Sequence, residues 1–350
     1  MKKNTVLIYF YSDYIESFLN LYTSINDLGM LDAKNIYSVL VHGNLDKFSD
    51  KSLLDKFNKT VYLNCSSDLY GYFKGIKSIN IEEFDYFILM NSSCIGPILP
   101  NYYPKKEWDL IFTRDLKKFG LISPVVELPP LDDKYVKNLK LKKQLNNLQV
   151  LMTIPFAHSY FLAFNKKAIN TLISNNAFPM KDVNKNDAVG FYERLITAII
   201  LNNNFKIKSN LYRFKEFSFD IQSVKNFLKK ISNTNKFDNI FIDPEIPNIG
   251  NFGSDLHPYE VVFFKNIRFP HTHRGVKQAG ISENNINFLG NIIGLYKNSI
   301  SLNISPQNNN SYKDKFFLKE RFMNKSSKIK TKIFKKLAKL FNKLLKKKNF

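Results

Sequence analysis

Along residues 1–100 the apolar positions switch between the two-residue period of strands and the longer period of helices. Thr5–Tyr11 is a compact apolar run and reads as a buried strand. Asp13 can cap a helix that runs to about Leu28, where Gly29 can end it. Ile36–His42 reads as a second strand. Ser49–Phe57 places Leu53, Leu54 and Phe57 on one helical face. Thr60–Asn64 is a short strand, Asp68–Lys77 a short helix, and Phe84–Met90 a nearly all-apolar fourth strand. Apolar strands separated by short helices predict an α/β fold: a mostly parallel sheet with helices on both faces.

The middle of the chain is less regular. Trp108–Phe112 reads as a strand, and Leu131–Leu151 as a polar, lysine-rich helix or insertion. Ser159–Phe164 reads as a strand with a helix from Asn165. Asn186–Leu201 is an amphipathic helix, and Val261–Phe264 a short strand after the turn signals Gly250, Gly253 and Pro258. With no internal repeat or Gly/Ser linker, the pattern predicts one domain over 1–305 and a tail over 306–350. Ligands of open α/β sheets bind outside the carboxyl ends of the strands. Here those ends lead into Tyr11-Ser12-Asp13, His42-Gly43-Asn44, Asn64 to Asp68 and Asn91-Ser92-Ser93, all small or polar. Turns alone also favour such residues.

Composition narrows the class. The chain has 350 residues, 44% hydrophobic and 23% charged, enough for a real core. Its two cysteines, Cys65 and Cys94, have no metal-ligand spacing and fit a reducing cytosol. Two lysines precede the first apolar run, which reads as a buried strand rather than a signal peptide. No stretch approaches the ~20 apolar residues of a membrane helix. The net charge of +22 raises the alternative of a non-catalytic, nucleic-acid-associated binding protein. Much of that excess lies after Glu320, where no acidic residue occurs, so it is a tail feature. Aromatic stacking groups are not interleaved with the basic residues, and no nucleic acid is expected as a partner.

The most informative segment is Asp85-Tyr-Phe-Ile-Leu-Met-Asn-Ser-Ser-Cys-Ile-Gly-Pro-Ile-Leu-Pro100, in which a buried strand delivers Asn91, Ser92 and Ser93 at its tip. It resembles a signature of GT-A-like bacterial surface-polysaccharide glycosyltransferases, including the rhamnan-synthesis F family. Asn64-Cys-Ser-Ser-Asp68 is similar to that family's Asn-x-Gly-x-Asp segment, with Ser66 where a glycine is usual. His158-Ser-Tyr-Phe resembles its Gln-Ser-Tyr-Phe block. Tyr192-Glu193 resembles its Tyr-Glu pair, and His257-Pro-Tyr-Glu-Val-Val-Phe-Phe-Lys265 its late His-Pro block. The resemblance implies a GT-A-like fold and transfer of a sugar from a nucleotide-sugar donor. The implied acceptor is a growing or lipid-linked glycan of capsule or lipopolysaccharide type.

That chemistry needs a nucleotide pocket, positive charge on the leaving diphosphate, and a base for the acceptor hydroxyl. The expected donor-binding residues are Tyr11, Ser12, Asp68, Asn91, Ser92, Ser93, His158, His257 and Lys265. Asp68 reads as a ribose or base ligand, as a helix N-cap, or as both. Glu193 lies within an apolar helix beside Arg194 and reads as general base or acceptor ligand, or as part of a solvated face or salt bridge. His158 reads as a donor or acceptor contact, or as a satisfied structural histidine. Many GT-A enzymes hold Mn or Mg through Asp-x-Asp at the strand tip. Asn91-Ser92-Ser93 has no carboxylate, so no cofactor is expected with certainty, and charge neutralisation falls to Lys265, Arg268 or His257. His271 and His273 have metal-like spacing but no acidic or thiol ligand nearby.

In the tail, Ile329, Ile333, Leu337, Leu340, Phe341, Leu344 and Leu345 form one apolar stripe, with lysines on the other face. This pattern predicts a helix lying on the anionic inner face of the plasma membrane, with the protein cytoplasmic and peripheral. Residues 326–350 should therefore bind liposomes in proportion to anionic lipid and weaken as salt rises. Co-sedimentation of the full chain and of a chain lacking 326–350 checks this. Equal binding to neutral and anionic vesicles contradicts it.

Overall fold

The computed structural model describes residues 3–12, 15–43, 51–127, 155–211, 214, 218–223, 226 and 258–265. His257, Arg268, His271, His273, the 131–151 segment and the 306–350 tail lie outside the described residues. Among those described, no helix is long and apolar enough to cross a membrane.

The first half contains β1 (Thr5–Tyr11), α1 (Ile15–Asn26), β2 (Ile36–His42), α2 (Lys51–Leu54), β3 (Lys59–Tyr62), α3 (Asp68–Lys77), β4 (Tyr86–Asn91), β5 (Cys94–Ile95) and α4 (Leu110–Thr113). It continues through β6 (Leu121–Ser123), β7 (Val126–Glu127), β8 (Phe156–Ala157), β9 (Phe161–Asn165) and α5 (Lys166–Ser174). Then come α6 (Lys185–Asp187), a π-helical turn (Ala188–Tyr192), α7 (Glu193–Asn202), β10 (Ile207–Ser209), α8 (Pro258–Val261) and β11 (Phe264–Lys265).

Seven strands form one sheet in the order β10-β6-β9-β4-β1-β2-β3. All neighbours are parallel except β9, which runs antiparallel to both β4 and β6. This is the mostly parallel α/β sheet with helices on both faces expected from the sequence, with one reversed strand that the sequence pattern did not show. Every residue of β1 is buried. Val6, Ile8 and Phe10 face one core with α3, α5 and α7, while Leu7, Tyr9 and Tyr11 face the other with α1 and α4. Burying such side chains contributes roughly 1.5–3 kcal/mol each, which makes β1 the axis of the domain.

Three expectations need correction. Trp108–Phe112 is not a strand. Trp108 is fully buried, its indole N–H donates to the Met30 carbonyl at 2.9 Å, and the chain coils into α4. Five residues, four of them apolar, fit either period, and packing decided it. Val261–Phe264 is the end of α8 and the start of β11. The helix expected over Asn186–Leu201 contains the π turn. The strands β6 and β10, three residues each, were too short to leave a pattern.

The site is set by how closely α3 lies on β1. A Cβ on Gly71 would sit 2.2 Å from the Phe10 ring, and one on Gly75 would sit 2.5 Å from Ile8. Helix α3 is capped by Ser67, whose hydroxyl accepts from Tyr70 N, and not by Asp68, which is its first residue. Lys74 and Lys77 in its last turn complement the helix dipole.

Asp109, at the start of α4, is 1% exposed. Burial pushes its carboxyl up from 3.8 to about 6, with the backbone N–H groups of Asp109 and Leu110 offsetting part of the rise. The folded state therefore holds this proton more tightly than the unfolded chain. The contribution to stability is full below pH 4 and is lost as pH rises through 6. Asp109→Asn should raise the melting temperature at pH 7.5 and leave it nearly unchanged at pH 4. Thermal scans of both proteins across that range test this, and a pH-independent difference contradicts it.

Candidate functional site

Three chain directions converge on the carboxyl edge of the sheet. Strands β1 and β4 run parallel, with Phe10 opposite Asn91, and deliver Tyr11, Ser12 and Asn91-Ser92-Ser93 there. The turn after β3 puts the start of α3, with Asp68, at the same edge. Strand β9 runs the other way, so it begins where β4 ends, with Phe161 opposite Met90. His158, Ser159 and Tyr160 are thereby brought to the tip of β4, and Asn91 N donates to the Tyr160 carbonyl at 3.1 Å.

The side chains at this edge form two linked groups. In the first, Ser92 is fully buried and its hydroxyl accepts from Ser12 N and pairs with Ser12 Oγ, both at 3.1 Å. Its carbonyl accepts from Asn20 Nδ2 at 2.9 Å. Tyr11 is also fully buried, its ring 5.1 Å from that of His42. These residues build the floor of the edge. In the second group, Asp68 Oδ2 accepts from Asn91 Nδ2 at 2.6 Å and from Ser159 Oγ at 3.0 Å, while Oδ1 accepts from Leu69 N at 2.8 Å. Asn91 Oδ1 accepts from both the backbone N and the hydroxyl of Ser93. Asp68 and Asn91, predicted to share an edge, are hydrogen-bonded.

Glu193 joins the second group through the backbone N–H of Ser159, which donates to Glu193 Oε1. It is the first residue of α7, 5% exposed, so the solvated-face reading of this helix is set aside. Its neighbour Arg194 lies over the Phe156 ring, 4.5 Å from the centroid. The π turn immediately before Glu193 is of a kind found often at functional sites. Burial raises the Glu193 carboxyl above its ordinary range. The positive charge of His158, the Ser159 N–H and Lys265 pull it back, and the negative charge of Asp68 pushes it up. Lys265 comes from β11, paired with Cys94 of β5, and its Nζ lies 5.8 Å from the Tyr160 ring centroid. A buried carboxylate facing a cation beside a polar strand tip can accept a proton from a bound hydroxyl.

The described residues placed there do not form a divalent metal centre. The tip of β4 offers no carboxylate, and Asp68 Oδ2 already accepts two hydrogen bonds. Among the described residues no group of three or more His, Cys, Asp or Glu could hold a metal ion.

Asp182 gave no signal in the sequence. Its carboxylate accepts from Ser66 N and Oγ at 2.9 and 3.1 Å, 116 positions away, and from Ser67 N at 2.9 Å, 115 positions away. It ties the turn that carries Asp68 to the segment that leads into Glu193.

No protein-family model and no curated protein matches the chain. Solved structures similar to it include 4-diphosphocytidyl-2C-methyl-D-erythritol synthase from Anaerococcus prevotii, at 16% identity and TM-score 0.32 over 59% of this chain and 86% of that one. S. aureus TarS is similar at 10% identity and TM-score 0.35, over 59% of this chain and 58% of that one. Mannosyltransferase PcManGT from Pyrobaculum calidifontis, solved with GDP-Man and Mn2+, is similar at 11% identity and TM-score 0.33, over 60% of this chain and 55% of that one. The chain thus spans little more than half the length of those two proteins. The fold rests on the strand order rather than on these likenesses.

Asp182→Ala should cost about 1 kcal/mol, the usual worth of a carboxylate or hydroxyl capping a helix start. Denaturant unfolding of parent and variant measures it. No loss of stability would show that the tie does not hold the turn.

Proposed function

We propose that this chain is a glycosyltransferase that moves a sugar from a nucleotide-sugar donor to a growing or lipid-linked surface glycan. The observation that carries the reading is the cluster of Asp68, Asn91, Ser159 and Glu193 at the carboxyl edge of the sheet, with Lys265 facing Glu193. Glu193 takes the proton of the acceptor hydroxyl. The bond from that oxygen to the anomeric carbon forms as the bond to the diphosphate breaks, and the electron pair leaves with the diphosphate. Lys265 offsets the charge that develops on the leaving group. Asp68 and Asn91 present hydrogen-bonding groups to the donor. The motif order along the chain, from Asn64–Asp68 to His257–Lys265, supports the same reading. Capsule or lipopolysaccharide as the product, and a cytoplasmic, peripheral site on the inner membrane through 326–350, belong to this proposal.

A panel of nucleotide sugars, scored for transfer, hydrolysis and thermal stabilisation, tests the reading. A donor at 100 times its dissociation constant adds ~2.7 kcal/mol of stability. With such a donor, Glu193→Gln should lower kcat ~100- to 10,000-fold while the fold stays intact. The acid limb of the parent's kcat/KM profile should lie above the ordinary carboxylate range, because Glu193 must be ionised to act and burial raises it. Lys265→Met removes a charge that favours the ionised form, so it should move the limb to still higher pH. Turnover of the Gln variant within a few-fold of the parent excludes Glu193 as the base.

A further inference from the structure

Ser159 has three polar groups, and each is bonded to an element of the site. Its N–H donates to Glu193 Oε1 on α7, and its Oγ donates to Asp68 Oδ2 on α3 at 3.0 Å. Its carbonyl accepts from the Tyr72 hydroxyl at 2.8 Å. Tyr72 is fully buried and stands one turn beyond Asp68 on α3, on the same helical face. Helix α3 therefore grips Ser159 twice and α7 grips it once. The residue is hydrogen-bonded to both carboxylates, the half-buried Asp68 and the buried Glu193.

We infer that Ser159 is a positioning residue, which holds Asp68 and Glu193 at a fixed separation with a donor on each, so that Glu193 is aimed and ionised for proton transfer. Tyr72 is the anchor that keeps Ser159 in place. The catalytic consequence rests on the glycosyl-transfer reading above, whereas the clamp itself does not. The groups that face Glu193 are Asp68 and Tyr72 from α3, His158 from the segment before β9, and Lys265 from β11. Two of these, Asp68 and Glu193, are acidic neighbours, and like charges close together disfavour ionisation. The Ser159 hydroxyl draws on the Asp68 charge, and its N–H draws on that of Glu193. Loss of the hydroxyl leaves the Asp68 field less compensated, and Glu193 becomes harder to ionise.

The test uses the full chain with Ser159→Ala, Ser159→Thr and Tyr72→Phe. Ser159→Ala keeps the backbone contacts to Glu193 and Tyr72 and removes only the Asp68 bond. It should lower kcat about tenfold or more, since small misplacements of reacting groups are costly. Donor KM should stay within about twofold, and the acid limb should move to higher pH. Ser159→Thr restores the hydroxyl and most of the rate. Tyr72→Phe moves kcat and the limb in the same direction as Ser159→Ala. A residue that merely supports the fold would not move the limb, so an unchanged limb and kcat in Ser159→Ala overturns the inference.

A second measurement needs no turnover. The melting temperature is followed against pH for Ser159→Ala alone and combined with Glu193→Gln. The clamp requires that Ser159→Ala changes the pH dependence more when Glu193 is present than when it is Gln, where only the bond to Asp68 is lost. The same change in both backgrounds overturns it. If the parent turns over no nucleotide sugar and this coupling is present, the transferase reading falls and the clamp stands.

Discussion

Strand β1 has no polar side to show. All seven of its residues are buried, three facing one core and three the other, beyond Thr5 at its start. A strand covered on both faces can offer chemistry only at its ends, because polar groups along its length would lose water without gaining partners. The parallel pairing of β1 with β2 and β4 then lines their carboxyl ends along one edge. The reversed strand β9 adds to this edge from its own beginning, which is how Ser159 comes to stand beside Asn91. Helix α3 reaches the edge because glycines at 71 and 75 let it lie directly on Phe10 and Ile8.

The charge of the site runs against that of the chain. The protein carries a formal +22, yet two carboxylates, Asp68 and Glu193, meet at its edge. A buried carboxylate is held ionised only by what surrounds it. Here burial, the largest effect, and Asp68 push the Glu193 carboxyl up, while a backbone N–H, a histidine and a lysine favour its ionised form. These partners come from three separate stretches of chain, around residues 68, 158–159 and 265, so the ionisation of Glu193 depends on the assembled fold.

The fold was legible in the sequence where local pattern and final packing agree. The boundaries of β1, β2 and α3 follow from largely apolar runs and from the aspartate at the start of the helix. Trp108–Phe112 was misread because an indole buried against Phe263 looks the same in a strand or a coil of helix. The reversal of β9 could not be read, since a short apolar run carries no direction. In the site, Asp68 stood out near a helix start, Asn91 at the tip of an apolar strand, and Glu193 as a carboxylate within an apolar helix. Asp182 and the threefold bonding of Ser159 did not, because hydrogen bonds between residues about a hundred positions apart leave no trace in a periodic pattern.

The π turn at Ala188–Tyr192 has a mechanical meaning for the chain around it. Two demands fall on this stretch. Upstream, Asp182 is fixed to the start of α3, and downstream, Leu195, Ile196, Ile199 and Ile200 fix the rotation of α7 against the core. A helix of uniform pitch links the angles at its two ends rigidly, so both demands could be met only by coincidence. The wider turn contains one more residue than an α-helical turn and takes up the difference in phase. The segment before it and the helix after it can thus be adjusted independently, so that α7 takes its rotation from the core while Ser159 holds the Glu193 carboxylate at its start.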